Sequence, residues 1–164
     1  MQIVGAIVAP AAIEYKGVRT GVDFVESRYN QDDTVLVYGY SYGGDNAVNA
    51  VEMLKSKGVM INRMVLVDSS DGPFLNATVD SSIPENAQET LNIYQTDPSG
   101  HIKIPFTNDK QPSDFGPGSR GYPAKPEGDN KVINYNASAP DVSHGNIESK
   151  TEPMILRGLG LSPN

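Results

Sequence analysis

The chain has 164 residues, no cysteine, and 20 Asp and Glu against 13 Lys and Arg, a formal net charge of -7. That length fits one domain with one sizeable core, and no segment approaches a transmembrane span. Without a Lys/Arg cluster the chain is a poor match for nucleic acid or for charge-driven docking on anionic membranes, and without cysteine it has neither a disulfide framework nor thiolate metal ligation.

Taken in chain order, Ile3 to Val8 is a short apolar run stopped by Pro10. It lacks a basic leader, so it is expected to be a buried strand and not a signal peptide. Residues 11–20 are expected to be a loop, and Gly21 to Tyr29 a short helix carrying Val22 and Val25. Asn30 to Asp33 is a turn, and Thr34 to Tyr38 a β-branched and aromatic strand. Asp45 to Lys57 places Ala47, Val48, Val51, Met53 and Leu54 at helical spacing, and Gly58 ends it. Met64 to Val67 is a further strand that stops at Asp68. Alternating strands and helices of this kind imply a mainly parallel sheet with helices on both faces, an α/β architecture. Pro84 to Tyr94 is predicted as a helix, with Pro84 in its first turn, Leu91 inward and Ser82 as cap. Residues 97–130 form a Gly/Pro-rich irregular insertion bearing Phe106, Phe115 and Tyr122, of the kind that serves as a lid, a binding loop or a disordered stretch. Lys131 to Tyr135 is the last predicted strand, and a short helix opens after Gly145.

The chemistry centres on Gly39-Tyr40-Ser41-Tyr42-Gly43, directly after the strand Thr34 to Tyr38 and before a helix. In that context Gly-x-Ser-x-Gly reads as a nucleophile elbow, a tight strand-to-helix turn that holds the serine hydroxyl clear of the sheet. Gly39 and Gly43 are expected to prevent backbone collision there, with Gly44 extending the small patch. A serine hydroxyl needs a base, and the base needs an orienting acid. The chain offers two histidines. His144, in a loop after the last strand, is better placed to return to Ser41 than His101, which sits in the irregular region. Asp68 ends the strand after the nucleophile helix, so it should stand beside Ser41 across the sheet edge; Asp71 is the substitute, and an Asp capping a turn with Ser69 and Ser70 is the plainer alternative. The Tyr42 backbone N–H is the expected first oxyanion donor, with a second from within Ala9 to Ala12. Tyr40 and Tyr42, with the aromatic residues of the insertion, either line an acyl groove or pack the core. No histidine pair or spaced carboxylate set calls for a metal, and the chemistry needs no cofactor. Asn76-Ala77-Thr78 and Asn136-Ala137-Ser138 match glycosylation sequons, which matter only in a secretory pathway.

Val35 to Gly44, together with the order Ser41, Asp68, His144, resembles the α/β-hydrolase superfamily, especially its lipases and esterases. Leu66-Val67-Asp68, followed by small residues and Pro73, is similar to lipases whose acid follows the strand after the nucleophile unit. The likeness covers Ile3 to Val67 and the His144 region but not 97–130, and the short chain departs from full-length members toward a minimal, cutinase-sized version. It implies one hydrolase domain over 1–164 that cleaves ester substrates through a Ser41-His144-Asp68 triad. Gly39 to Asp45, Asn92 to Gln95 and Val142 to Ile147 also resemble lipase-like toxin domains at the C-terminal ends of bacterial Rhs-repeat and related secreted effectors. That likeness implies a membrane-lipid substrate, a cognate immunity protein as partner, and delivery within a larger effector; otherwise a soluble cytoplasmic enzyme is expected. A thioesterase or short-chain carboxylesterase, and a non-catalytic interaction domain that keeps the elbow, are the competing readings.

Overall fold

The segment Ile61–Val67 is apolar at five of its seven positions, Ile61, Met64, Val65, Leu66 and Val67, and all five are buried. A strand buried on both faces belongs in the middle of a parallel sheet, and in the computed structural model that is its place. The structure describes residues 16–69, 82–96 and 123–161. The elements in order are α1 (Lys16–Glu26), β1 (Leu36–Tyr40), α2 (Tyr42–Lys55), β2 (Ile61–Val67), β3 (Ser82–Ile83), β4 (Ala87–Tyr94), β5 (Lys125–Pro126), β6 (Lys131–Asn136) and α3 (Ile147–Gly158). A four-stranded sheet runs β1-β2-β4-β6, every pair parallel, and β3 and β5 form a small parallel pair of their own. The chain is therefore of the α/β class.

Side chains alternate across β2, and the two faces feed separate cores. Met64 and Leu66 join Val48, Val51 and Leu54 of α2 and Val22 of α1. Val65 and Val67 join Ile93 of β4 and Ile147 and Ile155 of α3. Helices thus cover opposite faces of the sheet. Truncating a fully buried residue such as Met64 to Ala should cost about 2–5 kcal/mol.

Three expectations are corrected. The stretch Pro84 to Tyr94 is not a helix: residues Ala87–Tyr94 form β4, hydrogen-bonded to β2 on one side and β6 on the other. Its buried Thr90 and Asn92 hide the strand pattern, and Asn92 finds its partner 42 positions away, donating from Nδ2 to Asn134 Oδ1 at 3.0 Å. Pro84 starts no helix; its carbonyl accepts from Ala87 N–H at 2.9 Å in the turn that enters the strand. The first helix spans Lys16–Glu26, so it includes part of the expected loop and ends before Tyr29. Val18, Val22 and Val25 form its inner stripe, which packs against the α2-side core and holds the helix together across Gly21. The strand and helix that flank Ser41 are also displaced slightly from expectation, to Leu36–Tyr40 and Tyr42–Lys55. The expected strand over Ile3 to Val8, and the insertion up to Tyr122, lie outside the described residues. Among the described residues no helix is long and apolar enough to cross a membrane.

Candidate active site

Parallel strands deliver their carboxyl ends to one rim of the sheet, and loops there collect side chains from several strands. The Ser41 N–H donates to the Val67 carbonyl at 2.9 Å, and the Asp68 N–H donates to the Ile93 carbonyl at 2.7 Å. The ladder therefore runs one step past β1 and β2 and fixes both residues at neighbouring strand ends.

Ser41 is the N-cap of α2, yet its hydroxyl makes no capping bond. A serine in that position ordinarily turns its oxygen onto the helix N–H groups. Here φ is 56° and ψ is -129°, a backbone state that L-residues rarely adopt, and the side chain is directed away from the helix. The turn is tight enough that a Cβ on Gly39 would lie 2.5 Å from the Gly43 carbonyl oxygen, and a Cβ on Gly44 would lie 2.1 Å from Ser69 Oγ. The expected pair of close glycines was Gly39 and Gly43; the structure makes it Gly39 and Gly44, since a Cβ at Gly43 meets no described atom within 4 Å. Gly44 is the third residue of α2 and faces the loop after β2.

The hydroxyl so presented lies 2.8 Å from His144 Nε2, and His144 Nδ1 lies 2.7 Å from Asp68 Oδ2. Asp68 is completely buried, while the His144 side chain keeps 16% of its surface exposed. An ionised carboxylate only accepts, so Asp68 keeps the ring proton on Nδ1 and leaves the Nε2 lone pair facing Ser41. Gln95, buried at the carboxyl end of β4, donates from Nε2 to the same Asp68 oxygen at 3.1 Å. Asp68 itself has φ 43°, a second left-handed residue at the rim.

His144 arrives on the loop between β6 and α3. Asn146 closes that loop: its Oδ1 accepts from Ser143 N–H at 2.7 Å and its Nδ2 donates to the Asp141 carbonyl at 2.9 Å. Val142 and Ala137 anchor the loop in the α3-side core. Tyr40 meets His144 twice, stacking on its ring and donating a hydrogen bond from its hydroxyl to the His144 carbonyl. Two residues back on β1, Tyr38 donates to the Glu148 carboxylate in the first turn of α3. Burial first, and then that carboxylate, push the Tyr38 phenol well above its ordinary range, so it remains a donor.

Ser41, Asp68 and His144 are thus brought together. Tyr42 opens α2, so its N–H has no acceptor one turn back within the helix and sits at the positive end of the helix dipole. Tyr40, expected either to line a groove or to pack the core, has its ring against His144. His101, Asp71 and the stretch expected to supply the second oxyanion donor lie outside the described residues. Among the described residues no group of three His, Asp or Glu is placed to hold a metal. Gln95 lies one residue past the helix expected to end at Tyr94, so the sequence reading gives it no role at the site; as the residue after a strand beside Asp68, it is a candidate. Comparison with protein-family models, with curated proteins and with solved structures finds no match to this chain.

Proposed function

We propose that the protein is a serine ester hydrolase of the lipase/esterase type, built on a minimal α/β-hydrolase fold. One observation carries this reading: the unbroken hydrogen-bonded chain from Ser41 through His144 to a buried Asp68, at 2.8 and 2.7 Å. His144 Nε2 takes the hydroxyl proton as Ser41 Oγ bonds to the ester carbonyl carbon. The carbonyl electrons move onto oxygen, where the Tyr42 N–H and the α2 N-terminus favour the negative charge. Asp68 stabilises the imidazolium that forms. Collapse breaks the bond to the alcohol, which leaves with the proton from His144. Water then attacks the acyl-enzyme as His144 takes its proton, the acid departs, and the proton returns to Ser41.

The test is hydrolysis of aryl esters of graded acyl length by the wild type, Ser41→Ala and His144→Ala. Turnover lost in both variants, with folding kept, is the expected result; a Ser41→Ala protein as active as wild type overturns the reading. The length profile separates a lipase from a short-chain esterase or thioesterase. The narrower proposal, an effector toxin domain acting on membrane lipids and held by an immunity protein, rests on the resemblance of Gly39 to Asp45, Asn92 to Gln95 and Val142 to Ile147. Release of fatty acid from phospholipid vesicles tests it. An inert protein that binds a partner tightly would favour the non-catalytic interaction domain.

A further inference from the structure

A general base works only if its ring holds one orientation, and His144 is supplied by a loop, the least rigid kind of element. Its ring nitrogens are both committed, to Ser41 and Asp68, but those bonds leave the ring's tilt and the loop's height above the sheet to be set by something else. Tyr40 touches both quantities. Its ring lies against the imidazole with centroids 5.1 Å apart and planes 23° from parallel, and its hydroxyl holds the carbonyl of the same histidine. Tyr40 is also the residue immediately before Ser41, on the strand that carries the nucleophile. Base and nucleophile are therefore indexed to one rigid element, even though 103 positions separate them.

We infer that Tyr40 is the positioning residue of His144: its ring sets the imidazole plane, and its hydroxyl sets the height of the loop. The inference rests on the hydrolase reading above. The same stack favours the transition state, because an aromatic face attracts the imidazolium that forms as Ser41 loses its proton. Tyr38 supports the arrangement one turn further along, through Glu148.

The test compares Tyr40→Phe and Tyr40→Leu with wild type and Ser41→Ala, using a small soluble aryl ester and proton NMR of the histidine rings. Tyr40→Leu should lower kcat on the order of 10–100-fold with KM held within about twofold, the signature of a misplaced catalytic group. Tyr40→Phe keeps the stack, so its kcat should fall between the two. In wild type the His144 ring protons should resonate upfield, under the tyrosine ring; the shift should persist in Tyr40→Phe and vanish in Tyr40→Leu. Unchanged kcat in Tyr40→Leu overturns the inference, as does a rise in KM alone, which would make Tyr40 a substrate contact. If Tyr40→Leu does not fold, an unshifted His144 ring in wild type, or a Tyr40→Phe protein with wild-type kcat, still overturns it. Activity in wild type that is absent from Ser41→Ala, with Tyr40→Leu fully active, sinks only this inference; equal inertness of wild type and Ser41→Ala sinks the hydrolase reading as well.

Discussion

Ser41 and Asp68 share a backbone peculiarity: each directly follows one of two neighbouring strands, and both are non-glycine residues in the left-handed region, with φ 56° and 43°. Positive φ at a residue with a Cβ costs of order 1–3 kcal/mol and persists only where the surroundings enforce it. At Ser41 the enforcement comes from the ladder bond to Val67 on one side and the start of α2 on the other. Strain at this rim and the aim of the hydroxyl are one feature. Ser41→Gly should therefore be more stable than Ser41→Ala by about 1 kcal/mol in urea unfolding, while both are inactive. Equal stability of the two would mean that the turn is relaxed.

Asp68→Asn should keep the fold and lower kcat/KM on the order of 10⁴-fold, because a neutral amide no longer keeps the ring proton on Nδ1. Replacing Gln95 by Leu acts on the same oxygen from the other side. It removes a buried donor to a charged group and should lower stability by about 1.5–3 kcal/mol, read as a drop in the urea midpoint. A Gln95→Leu protein as stable as wild type would show that Asp68 does not need the amide.

Gly44 gives a packing test of the elbow. Alanine there would place Cβ 2.1 Å from Ser69 Oγ and 2.8 Å from Ser69 Cβ, so Gly44→Ala should destabilise by about 1–3 kcal/mol. Ser69→Gly removes both atoms and should recover most of that loss in the double variant. Strict additivity of the two single effects would place the conflict elsewhere.

Glu89 and Lys131 face each other across β4 and β6, with the ammonium 2.7 Å from the carboxylate. The hydrogen bond from Lys131 lowers the Glu89 pKa below its ordinary value. A lowered carboxylate pKa in the folded state means that the pair stabilises above the ordinary glutamate range, and that this contribution fades as pH falls through the lowered value. Glu89→Gln should thus lower Tm near neutral pH and converge with wild type in strong acid. The gap should be small and shrink with salt, since the pair is partly exposed.

The parts of this site that can be read from the sequence are those whose signal is local. Gly39 to Gly44 declares a strand-to-helix turn within six residues, and the apolar spacing of α2 follows at once. His144 is legible by address, because only two histidines exist and one follows the last strand. β4 is not legible, because buried polar residues in it and just after it meet partners on other elements: Asn92 meets Asn134, and Gln95, one residue past the strand, meets Asp68. A local pattern cannot report a hydrogen bond across 42 positions. Tyr40 is ambiguous for the same reason, since an aromatic beside Ser41 reads equally as groove or core until the returning loop is in place.

The most direct measurement is the mass of the peptide carrying the adduct after reaction with a fluorophosphonate. The expected result is a single phosphonylated site at Ser41 in wild type, with labelling absent in Ser41→Ala and slowed severely in His144→Ala. Labelling at another serine, or ester turnover that survives in Ser41→Ala, would contradict the assignment of Ser41 as nucleophile.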